Sequence, residues 1–178
     1  MNKTAASSLC QTLLATGALM GLAISAHAAE AQAGAQVLVK APVERVWQLL
    51  TDVDRWPSWN HNVETANLQG GVVPGSIFVW KSQGFMVTST IQTIEPNHRL
   101  TWTGAAFGTR AFHSWKLEAV DGGVLVTTNE TFDGWLPWLL HGTMQQKLED
   151  TLPRWLASLK TAAERPATPV DVPSTRGQ

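Results

Sequence analysis

From Val63 to Asp133 apolar and polar residues alternate with a period of two, in runs such as Ile77-Phe78-Val79-Trp80, Phe85 to Ile94, Leu100 to Thr103 and Ala111 to Leu117. Gly70-Gly71, Pro74-Gly75, Gln83-Gly84, Pro96-Asn97 and Asp121-Gly122-Gly123 separate the runs. Half-buried strands joined by tight turns read this way, so the stretch predicts an antiparallel meander of about six strands. Upstream, Gln36 to Lys40 predicts another strand. Val43, Val46, Trp47 and Leu50 then fall at helical spacing behind Pro42, predicting a short helix over 42–51. Asp54 to Asn60 reads as a turn or a second very short helix. Downstream, Met144, Leu148, Leu152, Trp155, Leu156 and Leu159 repeat at three and four, a helix from about His141 to Glu164. Lys147, Glu149, Asp150, Arg154 and Lys160 lie mostly off that stripe. Pro153 inside it removes one backbone bond and predicts a kink.

The Asp121-Gly122 turn fixes the register of its two flanking strands. A two-residue turn sets Ala119 opposite Val124, Leu117 opposite Val126, Trp115 opposite Thr128, His113 opposite Glu130 and Ala111 opposite Phe132. All of these share one face. A slip by one residue would bury Glu118, Lys116 and Arg110 and expose Trp115 and Phe132, so the pattern resists it. His113 and Glu130 therefore project inward from adjacent strands, with Cβ atoms about 4.5–5.5 Å apart. A carboxylate in such a place needs a partner.

The ends have a different texture. Lys3 precedes an uncharged stretch from Leu9 to Ala26, and Ala26-His27-Ala28 fits a small-x-small cleavage site. This is the pattern of a secretory leader, residues 1–28; the alternative is an uncleaved N-terminal membrane anchor. Cleavage would leave 150 of the 178 residues, enough for one domain that buries roughly 70% of its unfolded surface. Residues 29–34 are read as an N-terminal extension. The tail, 165–178, holds Pro166, Pro169 and Pro173 without periodicity and reads as disordered.

Composition narrows the chemistry. The formal net charge of −1 argues against a nucleic-acid binder. The one cysteine, Cys10, lies in the leader, so a processed chain could form neither a disulfide nor a thiolate site. His61, His98, His113 and His141 lack metal-ligand spacing, and no phosphate-binding loop or nucleophile elbow occurs. Gly104 to Gly108 reads as a turn. The unusual entries are nine Trp and no Tyr. One long helix cannot cover a wide aromatic sheet face completely, so space is expected between the two layers.

Ala41-Pro42-Val43-Glu44-Arg45-Val46-Trp47, then Asp52 and Trp56-Pro57-Ser58-Trp59-Asn60, resemble the opening of the START-like SRPBCC superfamily, in particular its polyketide cyclase/dehydrase and lipid-transport branch. Glu95-Pro96-Asn97-His98-Arg99-Leu100-Thr101-Trp102-Thr103-Gly104, Phe112-His113-Ser114-Trp115, Glu130-Thr131-Phe132-Asp133-Gly134 and the helix ending Leu156-Ala157-Ser158-Leu159-Lys160 are similar too. The resemblance spans about residues 35–164. It implies an α+β helix-grip fold: a curved antiparallel sheet of about seven strands around a long C-terminal helix, with two short helices after the first strand. It also implies a deep apolar cavity for a lipid-like, polycyclic or aromatic molecule, and no cofactor. The candidate ligand-binding residues are Phe78, Trp80, Trp102, Phe107, Ala111, His113, Trp115, Thr128, Glu130, Phe132, Met144 and Leu148.

Three roles suit His113 and Glu130: a structural polar pair, a ligand contact, or an acid/base couple in which His113 moves the proton and Glu130 orients its ring. Trp47, Trp56 and Trp59 are expected to pack around the short helices. Trp135-Leu136-Pro137-Trp138-Leu139-Leu140 reads as a cap over the core or as a pocket-mouth patch that could touch a membrane transiently. The leading expectation is an exported binding or carrier protein. The alternatives are a cyclase/dehydratase-type enzyme using His113 and Glu130, and an interaction module without a ligand.

Overall fold

A computed structural model of the chain describes residues 31–166. The expected leader with its cleavage site, and the expected disordered tail beyond Pro166, lie outside the described residues. The elements are β1 (Ala31–Val39), α1 (Val43–Thr51), a 3-10 turn (Val53–Arg55), α2 (Trp56–Trp59), β2 (Val63–Leu68), β3 (Ile77–Ser82), β4 (Phe85–Glu95), β5 (Arg99–Ala106), β6 (Thr109–Val120), β7 (Gly123–Asp133), α3 (Trp135–Leu139) and α4 (His141–Glu164). The seven strands form one antiparallel sheet in the order β1-β7-β6-β5-β4-β3-β2. The sheet curves round α4, which packs chiefly against β1.

The hairpin register is the predicted one, from Val120 opposite Gly123 to Arg110 opposite Asp133. The inward alternation therefore holds along its whole length. Three boundaries differ from expectation. β1 starts at Ala31 rather than Gln36, so residues 31–34 are paired strand and not an extension. Its inward positions there are Ala31, Ala33 and Ala35, whose small side chains leave room for the helix. Pro42 caps α1 from outside instead of filling its first turn. Gly104 is buried strand, and the turn after β5 sits at Phe107-Gly108. α4 runs through Pro153, whose ring lies on the exposed side.

The core between sheet and helix is built from indole rings. Trp56, fully buried, makes edge-on contacts with Phe78, Trp80 and Trp155 and a tilted one with Trp102, all at centroid distances of 5.3–5.9 Å. Its N–H donates to the carbonyl of Leu50 at 3.1 Å, so its polar atom is satisfied. The short Trp56–Trp59 segment thus drives an indole into the space the helix leaves uncovered. The deep open cavity expected from the sequence is for that reason filled over much of its length.

The far end of α4 is fastened to the corner after β1. Lys160 Nζ donates to the carbonyl of Leu38 and to Glu164, both at 2.6 Å, and Glu164 accepts the backbone N–H of Lys40 at 2.7 Å. The Lys160 ammonium, and secondarily that N–H, hold the Glu164 carboxyl below the usual carboxylate range. A lowered folded-state value gives stability that is present above the ordinary carboxylate range and lost as pH falls through the lowered value. Glu164→Gln should therefore be less stable than the parent near neutral pH, and the two urea midpoints should converge in acid. A gap that stays constant down to strong acid would refute the assignment.

Candidate functional site

Side chains on the concave face of the sheet fall into rows, because cross-strand neighbours point the same way. One row runs Ser89, Gly104, Ala111, Phe132 across β4 to β7. Its first three members are small. The next row runs Ile91, Trp102, His113, Glu130. Bulky side chains in the second row and small ones in the first leave a cavity of about 140 Å³ above the first, closed on the other side by α4. A Cβ added at Gly104 would lie 3.3 Å from Ser89 Oγ and 3.6 Å from Ala111 Cβ, so any larger group there would enter the void.

Of the residues singled out from the sequence, Trp80, Trp102, Ala111, His113, Glu130 and Phe132 wall the cavity from the sheet. Met144 and Leu148 wall it from the helix, and Phe107 stands at its mouth. Phe78, Trp115 and Thr128 are buried behind this wall and do not reach the cavity. The sequence reading missed Val87, Ser89 and Gly104 on the floor, Phe85 at the rim, and Trp155 and Lys147 on the helix, while Leu136, which belongs to the expected cap or pocket-mouth segment, lines the rim. Lys147 was read as lying off the inner stripe; its stem lines the cavity while its ammonium sits 5.0 Å from the centre of the Phe85 ring. The signal for these helix residues was spacing: 144, 147, 148, 151 and 155 share one face at three and four.

His113 is the most constrained polar group of the site. It is 2% exposed, and its ring stacks between Trp102 and Trp115 with centroids 4.6 and 5.2 Å away. Nδ1 lies 3.2 Å from Glu130 Oε1, and Nε2 lies 2.8 Å from Thr128 Oγ1. Thr128 Oγ1 has no other hydrogen-bond partner among the described residues. If the buried Thr128 hydroxyl donates to Nε2, the ring proton is left on Nδ1, facing Glu130. The order hydroxyl, imidazole, carboxylate matches that of a nucleophilic triad. Here it cannot act as one, since Thr128 is wholly buried and no substrate reaches its oxygen. His113 and Glu130 both line the cavity; Thr128 does not.

The mouth is apolar and uncovered. Phe107 is 72% exposed and meets Trp135 edge-on at 5.4 Å; Trp138 and Leu139 beside it are 69% and 60% exposed. Gly134, at φ 123°, sets this geometry: a Cβ there would lie 2.5 Å from the carbonyl of Gly108. Only glycine lets β7 turn into α3 so close to the β5–β6 turn.

Solved structures share this architecture. A hypothetical protein from Helicobacter pylori superposes with a TM-score of 0.69 at 18% identity, covering 90% of this chain and 100% of that one. The Zhui aromatase/cyclase from Streptomyces sp. R1128 gives 0.69 at 14% identity over 79% of this chain and 97% of its own. A START superfamily protein from Mycobacterium smegmatis gives 0.65 at 12% over 75% and 97%. No curated protein sequence matches. The profile described as polyketide cyclase / dehydrase and lipid transport matches residues 30–164, from the first residues of β1 to the last of α4. With the seven-stranded sheet gripping its C-terminal helix, a fold shared with those structures, the chain belongs to the polyketide cyclase/dehydrase and lipid transport family.

Proposed function

We propose that this protein binds or carries a small hydrophobic molecule and does so outside the cytoplasm. The observation that carries the binding role is the cavity over Ser89, Gly104 and Ala111, walled by indoles and with one carboxylate turned into it. Its volume of about 140 Å³ is close to the roughly 150 Å³ that accommodates benzene in an engineered apolar cavity. It is smaller than the roughly 300–1,000 Å³ of a pocket for a drug-sized ligand. The enclosed part of the ligand is therefore one ring or a short branched chain. A polycyclic or long-chain molecule would have to continue out past Phe85 and Phe107. Export rests on the leader pattern of residues 1–28, and the exposed Trp135, Trp138 and Leu139 beside the mouth support transient contact with a membrane surface during loading.

Native mass spectrometry of the protein purified from its own compartment tests both parts. The expected result is a chain beginning at Ala29 with a co-purifying apolar compound. Protein that is repeatedly empty would favour an interaction module without ligand, and a retained leader would remove the processing claim.

A second reading has a specific observation in its favour: the His113–Glu130 pair stands at the cavity wall with Nδ1 3.2 Å from the carboxylate. That arrangement suits removal of a proton from, and its return to, a carbon next to a carbonyl, as dehydration or cyclisation requires. Loss of turnover with retained binding in Glu130→Gln would establish it; turnover that survives Glu130→Gln and His113→Ala would dismiss it.

A further inference from the structure

Glu130 is only half used by the protein. Its Oε1 meets His113 Nδ1 at 3.2 Å, and among the described residues no other group is hydrogen-bonded to its side chain. Its side chain is 12% exposed and lines the cavity, and no hydrogen bond to its second oxygen is found among the described residues. His113 cannot turn to satisfy it, because its ring is clamped between Trp102 and Trp115 and its other nitrogen is held by Thr128. Ser89 on the floor already accepts the N–H of Trp80 at 3.0 Å. The cavity wall, mostly apolar with a few hydroxyl and amide groups, thus presents one carboxylate acceptor held in place by His113.

We infer that the ligand enters with a hydroxyl leading, and that this hydroxyl donates to the free oxygen of Glu130 while a body no larger than one ring fills the space over Gly104 and Ala111. The inference rests on the binding role proposed above and specifies its ligand class. The match is one of stoichiometry: a hydroxyl has one proton to give and the wall offers one open carboxylate oxygen. An ammonium has three protons, more than one carboxylate oxygen can take, and its dehydration costs more than that of a hydroxyl. Hydrogen bonds from O–H to a carboxylate are short and strong, so the gain over a ligand without a donor is large. Phenols and saturated cyclic alcohols share this chemistry.

The test uses the intact protein and four probes: phenol, cyclohexanol, toluene and benzylamine, followed by the fluorescence of the cavity tryptophans. Phenol and toluene have the same shape. In a cavity without an acceptor toluene wins by about tenfold or more, because the hydroxyl loses its water without return. The parent protein should reverse that order, binding phenol at least as tightly as toluene. In Glu130→Met the order should revert, with toluene affinity unchanged within a few-fold. Toluene binding well ahead of phenol in the parent would overturn the inference and leave the cavity reading standing. Benzylamine binding ahead of both hydroxyl probes would replace the hydroxyl by a cation. Failure of all four to bind would overturn the underlying binding role. Cyclohexanol against phenol tells a saturated ring from an aromatic one. The comparison in the parent decides the matter even if Glu130→Met does not fold.

Discussion

Trp56→Ala should lower the unfolding free energy by about 3–5 kcal/mol, the usual cost of deleting a buried indole. Four aromatic rings would lose a contact with it, three of them edge-on, and the cavity left behind is walled by bulky rings. The carbonyl of Leu50 at the end of α1 would lose its donor as well. Against a total stability of about 5–15 kcal/mol, this is a large fraction. With a urea dependence of about 2 kcal/mol/M, the midpoint should fall by about 2 M. A fall of less than about 0.5 M would mean that the rings do not form the structural centre described above. Trp56→Phe, which keeps most of the apolar volume, should fall in between.

Gly104→Val should abolish binding of a ring-sized ligand while leaving the fold intact. The backbone at Gly104 is ordinary strand, which valine prefers over glycine. Its Cβ fits against Ser89 Oγ at 3.3 Å and Val87 Cγ1 at 3.4 Å after shifts of a few tenths of an ångström, and its two methyls then stand in the void. Filling an empty apolar space adds buried surface, so stability should hold or rise. Toluene affinity should fall tenfold or more, read by the same tryptophan fluorescence. Unchanged toluene affinity in a folded Gly104→Val would show that the ligand sits elsewhere.

These two substitutions mark where sequence reasoning succeeded and where it stopped. The β6–β7 register followed from one Asp-Gly turn and two alternating runs, and it brought His113, Thr128, Glu130 and Trp115 to one face. Strand β1 was cut short because alanine and glycine are poor strand formers, though Ala31-Gln32-Ala33-Gly34-Ala35-Gln36 alternates plainly. Gly104 was misplaced for the same reason: a glycine among small residues resembles a turn, and only the pairing Ser89–Gly104–Ala111 shows it as the floor of a cavity. The position of Trp56 depends on how a four-residue helix is aimed between two layers, and no local pattern encodes that direction. The bulge between Ile91 and Thr93 did leave a trace, since Ile91 and Ile94 both pack inward at a spacing that strict alternation forbids.

Among the described residues, strand β1 has a single neighbour in the sheet, and that neighbour is the last strand, with Val39 opposite Val124 and Ala31 opposite Phe132. A chain emerging from the ribosome therefore holds its first strand unpaired until nearly the whole sequence has been made, and α4, which covers that strand, comes later still. Assembly dominated by such distant pairings is slow, typically milliseconds to seconds. The nascent protein passes most of its synthesis with a sheet edge unprotected, a state in which a chaperone can still hold the chain.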